Sequence, residues 1–289
     1  MPDMGPVVVG IEELSTSGAA LRWGVDQARL LGAPLRLVCA YRWDFVTPGQ
    51  LGYDVPMLDD ELRQHAEETL KQGCEQAGAI APELVIESAA VDGDAVSVLL
   101  EESSRAALLV LGSRQLKAFG SVVLGSVSAA VSARAHCPVV VLRAPAGDPA
   151  EGSAVLVGID GTEGSEAVLA FGFDIASRRR LPLRAVLCWK DHVTFGPWEH
   201  TRPSFEHAES WLSEALAGWR EKYPDVEVHS GVVRDAPVPG LVAASVGQSL
   251  LVVGTRRRHS LAGVLLGSVS QGVLHHAVCP VAVVPSHGE

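Results

Sequence analysis

The chain repeats itself, and that repetition limits every other reading. The stretch LLVLGSRQLKAFGSVVLGSVSAAVSARAHCPVVVL, Leu108 to Leu142, aligns without a gap with LLVVGTRRRHSLAGVLLGSVSQGVLHHAVCPVAVV, Leu250 to Val284. Leu250 stands 142 residues after Leu108, and LGSVS, Ala-x-Cys-Pro and the flanking valines coincide. The openings of the halves match too, VVVGIEELSTSGAAL from Val7 against VLVGIDGTEGSEAVL from Val155, at a spacing of 148 residues. The first half therefore carries six extra residues between its second and third strands. RAPAGDPAEGSA, rich in Pro, Gly and Ala, reads as a linker. The expected division is a first domain over 1–143, a linker over 144–153 and a second domain over 154–289.

Each half has the same coarse pattern. A short continuous apolar run, VVVGI or AVLVGI, reads as a strand buried on both faces. A polar turn and an amphipathic helix follow, with Ser17 and Ser165 as the expected N-caps. Second strands (RLVCAY, RAVLCW), second helices, third strands (VIESAAV, VEVHSGVV) and third helices (VSVLLEESS, PGLVAASVG) come next. The fourth strands are ALLVLG and LLVVG, each leading through a loop and a fourth helix to a fifth strand, CPVVVL or CPVAVV. Alternating strands and helices predict a parallel sheet with right-handed crossovers and helices on both faces. In such sheets ligands bind beyond the carboxyl ends of the strands, where the strand order reverses.

Composition removes several classes of function. A net charge of −11 argues against a general nucleic-acid binder. No apolar run approaches the roughly 18 residues of a membrane helix, and nothing near Met1 resembles a signal peptide. The five cysteines, Cys39, Cys74, Cys137, Cys188 and Cys279, form no CxxC pair and read as thiols in a reducing cytoplasm.

The residues with chemical content stand after strands four and one. Gly254 ends a strand, and Gly267-Ser268-Val269-Ser270 begins a helix. A helix N-terminus offers free N–H groups and a positive dipole end, which suit phosphate, and Ser268 and Ser270 add hydroxyl donors. The stretch lacks the Gly-Lys-Ser/Thr of a P-loop and is not GxGxxG. Taken alone it is also compatible with a plain helix start; its occurrence twice, after a buried strand each time, favours the anion site. Asp160 lies just past strand one of the second half, where its carboxylate can accept hydrogen bonds from ribose hydroxyls. Equally, Asp160-Gly161-Thr162 can simply make the turn.

With these residues in view, the halves resemble universal stress protein domains arranged in tandem. LGSVS followed by Cys-Pro-Val carries the resemblance, together with the family pattern Gly-x2-Gly-x9-Gly-Ser/Thr after strand four and an Asp after strand one. The resemblance implies two Rossmann-like doubly wound α/β domains, each a five-stranded parallel sheet of order 3-2-1-4-5, and, in one branch of the family, ATP binding without efficient hydrolysis. It implies a pocket in the second half from Ile159, Asp160 and Gly161, from Gly254, Thr255, Arg256 and Arg257, and from Gly267, Ser268, Val269 and Ser270. In the first half the matching positions are Ile11 and Glu12, then Gly112, Ser113 and Arg114, then Gly125, Ser126, Val127 and Ser128. By the same resemblance the adenine meets Ala40 and Val91, or Cys188 and Val233. The departures are Gln115 and Arg257 at the second glycine and Glu12 at the aspartate. Arginine there carries a steric cost if φ is positive, which charge-assisted bonds to phosphate could offset.

The resulting expectation is a cytoplasmic binder of ATP or a related adenine nucleotide, accompanied by Mg²⁺ on the phosphates, without enzymatic activity. The second pocket is expected to bind more tightly. The domains are expected to pair through their fifth strands, and two chains to form a homodimer. The rivals are an interaction module with degenerate pockets and a slow ATPase. Arg178 to Arg180 read as cations at a helix C-terminus. His275-His276 reads as an ordinary pair without a third metal ligand, and KDHVTFGPWEHTRPSFEHAESW as a mobile loop over the pocket.

Overall fold

The computed structural model describes residues 5–42, 55–113, 124–143, 153–161, 165–189, 205–255, 258–260 and 263–285. The chain divides into two compact units, Met1–Pro145 and Ala146–Glu289. Of the expected linker, only Ser153 is among the described residues.

The first unit runs β1 (Val7–Gly10), α1 (Leu14–Leu31), β2 (Leu35–Tyr41), α2 (Val55–Ile80), β3 (Ile86–Asp92), α3 (Ala95–Ser103), β4 (Leu108–Ser113), α4 (Ser126–Arg134) and β5 (Val139–Arg143). Its strands lie in the order β3-β2-β1-β4-β5 and all pair in parallel. In the central strand, Val7 sits opposite Leu35 on one side and Leu108 on the other. Val7, Val8 and Val9 are all fully buried. Successive side chains on a strand point to opposite faces, so an unbroken apolar run means that both faces are covered. The covers are α1 packed with α2, and α3 packed with α4. Arg36 of β2 forks onto Glu102 of α3, with Nε–Oε2 at 2.8 Å and Nη2–Oε1 at 2.9 Å, and so ties that helix to the sheet.

The second unit runs β6 (Val155–Ile159), α5 (Ser165–Arg179), β7 (Leu183–Cys188), α6 (Phe205–Lys222), β8 (Val228–Val233), α7 (Pro237–Ala244), β9 (Leu250–Thr255), β10 (Arg258–Ser260), β11 (Gly263–Leu265), α8 (Ser268–His276) and β12 (Val281–Pro285). Its parallel sheet has the order β8-β7-β6-β9-β12, the same topology as in the first unit. The fold class read from the repeat is therefore present in both halves.

The units fill their cores differently. Phe173 of α5 is fully buried, with its ring 5.6 Å from that of Trp219 and 5.5 Å from that of Tyr223, both on or just past α6. At the matching places the first unit has Val25, Ala77 and Ala81, all completely buried. One unit fills this space with aromatic rings and the other closes small residues upon it, with no change in topology.

Three local expectations are corrected. Helix α1 starts at Leu14 with Glu13 as its N-cap, so Ser17 is already inside the helix. The Glu13 carbonyl accepts from the N–H groups of Thr16 and Ser17, at 3.1 and 2.8 Å, which begins the helix without a side-chain cap. Ser165 is likewise helical and is the first residue described in α5. Between β9 and α8, where a plain loop was expected, Arg258–Ser260 and Gly263–Leu265 pair as an antiparallel ribbon. No Asn-Gly or Asp-Gly pair marks its turn, so the hairpin had no sequence signature.

The end of α5 carries a measurable strain. Helix α1 ends on Gly32 at φ 64°, and α5 ends with Arg180 at φ 53°. The closing bonds match: Ala33 N–H to the Ala28 carbonyl at 3.0 Å, and Leu181 N–H to the Ala176 carbonyl at 2.9 Å. Left-handed backbone crowds the Cβ of any residue but glycine. Arg180→Gly is expected to stabilise the second unit by about 1 kcal/mol, seen as a higher urea midpoint with an unchanged slope.

Candidate functional site

In both sheets the order reverses between the first and fourth strands, at β1/β4 and β6/β9. The expected site residues from strands one and four lie at the carboxyl ends of these neighbouring strands. Strand β4 ends in Gly112-Ser113 and β9 in Gly254-Thr255. A Cβ on Gly112 would stand 3.0 Å from the Thr16 carbonyl oxygen, and one on Gly254 would stand 3.0 Å from Val168 Cγ2. Each glycine therefore lets the start of the first helix approach the end of the fourth strand. The Ser113 hydroxyl is buried and, among the described residues, has no hydrogen-bond partner. A buried orphan of this kind calls for a specific explanation, and a ligand is one.

The fourth helices begin alike. Gly125 caps α4 at φ −62°, ψ 142°, and Gly267 caps α8 at φ −60°, ψ 146°. Neither cap makes a side-chain hydrogen bond to the helix. Most helices satisfy one of their first N–H groups with a Ser, Thr, Asp or Asn cap. Here those first-turn donors, at the positive end of the helix dipole, receive no cap oxygen, which is what an anion site needs.

The serines of these helices divide into two kinds. Ser126 and Ser268 are exposed, while Ser128 and Ser270 are buried. Ser128 donates its hydroxyl to the Gly112 carbonyl at 3.3 Å, and Ser270 donates to the Gly267 carbonyl at 3.0 Å. Both hydroxyls are engaged with backbone, so Ser270 is not presented as the additional donor expected from the sequence. Val127 and Val269, between the two kinds, are half-buried.

Strand one is the neighbour of strand four in each unit. Ile11 and Ile159 are buried, and the following carboxylates, Glu12 and Asp160, are exposed. Gly161 has φ 79°, so Asp160 enters a true glycine turn. In the second unit Ser165 donates its hydroxyl to Asp160 Oδ1 at 3.3 Å. In the first unit Ser17 has the opposite role, accepting the Glu12 backbone N–H at 3.4 Å.

Trp211 of α6 was missed. Its ring atoms Cη2 and Cζ2 lie 3.7 Å from where a Cβ on Gly161 would be, so the indole packs against the turn that presents Asp160. On α6 the buried positions are Ala208, Leu212 and Leu216. Trp211 flanks that stripe, where helical periodicity gives no distinguishing signal.

The four positions expected at the adenine are brought together as two cross-strand pairs, Ala40 with Val91 and Cys188 with Val233. All four are half-buried. The larger Cys188 is accommodated by Gly240 of α7, whose added Cβ would come within 2.9 Å of its sulfur. At the matching positions the first unit has the buried Val98 on α3 and the smaller Ala40 on β2. Burial, and secondarily the Asp235 charge, push the Cys188 thiol up to about 11, so it stays protonated near neutral pH. Arg114, Arg256 and Arg257 lie outside the described residues, as do Gln115 and the 190–204 part of the expected loop.

Among the described residues no group of three or more His, Cys, Asp or Glu side chains could hold a metal ion. No described helix is long and apolar enough to cross a membrane.

Comparison with known proteins agrees with this layout. The sequence model of the Universal stress protein family matches residues 4–143 and again 153–285. Universal stress protein Mb2028c of Mycobacterium bovis is 40% identical over 284 residues, covering 96% of this chain and 96% of that protein. Universal stress protein Rv2623 of Mycobacterium tuberculosis is 36% identical over 288 residues, covering 96% of this chain and 95% of that protein. Among solved structures, a universal stress protein from Archaeoglobus fulgidus superposes with a TM-score of 0.73 at 20% identity, covering 97% of this chain and 98% of that one, which supports the fold.

Proposed function

Since the chain belongs to the universal stress protein family, with one family domain matched in each half, we propose that it binds ATP or a related adenine nucleotide at the switch point of one or both domains. It acts as a nucleotide-dependent regulator of its own interactions, not as an efficient catalyst. The observation that carries this reading is the pair of glycine-capped helices, α4 and α8, opening beside the switch point with no side-chain cap on their first N–H groups.

The assignment of roles follows from the chemistry on offer. The first-turn N–H groups of Ser268, Val269 and Ser270 take the phosphates. The Asp160 carboxylate, an acceptor only, takes the ribose hydroxyls. The adenine packs on Cys188 and Val233, where a protonated thiol and a valine present an apolar surface. In the first unit Ser126, Val127 and Ser128 take the phosphate role, Glu12 that of Asp160, and Ala40 with Val91 that of the adenine floor. A Mg²⁺ would be held mainly by the phosphates and its own waters, as is usual for this ion. The division proposed is 1–143, a linker over 144–153, and 154–289. The setting is the cytoplasm and the assembly a homodimer of tandem chains.

One observation favours an interaction module with a degenerate first pocket: Glu12 is a methylene longer than Asp160, and Ser17 faces its backbone N–H. Titration of the purified chain with ATP and Mg²⁺ in a thermal-shift experiment separates the readings. A melting temperature that rises with ligand, following the logarithm of concentration above Kd, is expected. No shift at millimolar ATP overturns the nucleotide reading in favour of the interaction module.

A further inference from the structure

We propose that Ser165 is a positioning residue that makes the second unit selective for the vicinal hydroxyls of a ribose. This rests on the nucleotide reading above and adds a specificity device to it. Ser165 is 7% exposed and belongs to the first turn described in α5. Its hydroxyl donates to Asp160 Oδ1 at 3.3 Å, while Asp160 itself is exposed at the carboxyl end of β6.

An exposed aspartate left to itself samples several rotamers, and a ligand that needs one of them must order it on binding. A hydrogen bond from a side chain fixed in a helix orders it beforehand. A carboxylate has about four lone-pair sites, and the bond from Ser165 takes one of them. The turn beneath is braced as well. Gly161 at φ 79° is backed by the Trp211 ring, and a ring packed there holds the peptide that carries Asp160.

The first unit supplies the internal comparison. Its serine at the matching place, Ser17, is 4% exposed, so burial is conserved between the units. Yet its oxygen accepts the Glu12 backbone N–H, and Glu13, in the place of Gly161, has φ −140°. The same buried serine serves the backbone in one unit and the carboxylate in the other. Selectivity for the ribose diol therefore belongs to the second unit.

The experiment is calorimetric titration of the full chain and its Ser165→Ala and Ser165→Thr variants with ATP and with 2′,3′-dideoxy-ATP, both with Mg²⁺. The wild type is expected to prefer ATP. Ser165→Ala should weaken ATP at the tighter site about fivefold, the worth of one ordinary hydrogen bond, and leave dideoxy-ATP unchanged. Ser165→Thr, which keeps the hydroxyl, should restore the preference. The melting temperatures of the unliganded variants report separately on the fold. Equal weakening of both nucleotides, or weakening of neither, overturns the positioning role while the nucleotide reading stands. A wild type that binds neither nucleotide overturns both.

Discussion

Asp160→Ala is expected to weaken ATP binding to the full chain by roughly 10- to 100-fold, while Glu12→Ala changes it by less than about threefold. The larger figure is that of hydrogen bonds to a charged group, about 1.5–3 kcal/mol, expressed as a ratio of affinities. The asymmetry has a structural cause. Asp160 leads into a glycine turn at φ 79° and accepts the Ser165 hydroxyl, whereas Glu12 leads into the extended Glu13 and has Ser17 on its backbone N–H. A longer carboxylate also projects further into the space a ribose would take. Calorimetry on the two variants checks the ranking. A greater loss from Glu12→Ala would transfer the principal site to the first unit.

Phe173→Ala is expected to destabilise the second unit by about 3–5 kcal/mol, enough to unfold a domain of ordinary marginal stability. Phe173 is fully buried, and its ring stacks on Trp219 and Tyr223 at once. Removing it takes away the apolar surface and leaves a cavity that two large rings cannot readily collapse to fill. Lys222 places its ammonium 5.0 Å from the Trp219 ring centre, so that side of the cluster is also held by charge. Val25→Ala, at the matching place in the first unit, removes only two methyl groups and should cost about 2 kcal/mol. Urea unfolding followed by tryptophan fluorescence and by circular dichroism checks both. The fluorescence transition of the second unit should move most, because Trp219 lies in the cluster. Equal shifts for the two substitutions would show that the aromatic cluster is not the packing centre inferred here.

Legibility varied with the kind of feature. The strand runs, such as Val7–Val9 and Leu250–Val253, were readable because burial on both faces demands an apolar residue at every position. The paired positions Ala40 with Val91 and Cys188 with Val233 were anticipated through family resemblance, and the register brings each pair side by side. Hydroxyl partners were not readable. Ser17 and Ser165 looked like caps, but one accepts from a backbone N–H and the other donates to a carboxylate. Ser270 looked like a donor for a ligand and instead binds a carbonyl, as Ser128 does in the first unit. A hydroxyl rotates to whatever stands near it in space, and the linear order of residues does not report that neighbourhood. The ribbon of β10 and β11 was missed for a similar reason, since its two short strands carry no turn signature.

Sequence alone was sufficient for the duplication, for the parallel α/β class of each half, and for the two places along the chain where an anion-binding helix start could stand. Those follow from periodicity and repetition, which depend only on residue order and burial. Three-dimensional packing determined the rest. It matched Gly254 to Val168 and Gly112 to Thr16, set Trp211 against Gly161, and turned Ser165 toward Asp160 but Ser17 toward a backbone N–H. Two halves with one topology thus present unlike candidate sites, because the buried serine five residues on turns to a backbone N–H in one and to a carboxylate in the other, and because Gly161 takes φ 79° where Glu13 has φ −140°.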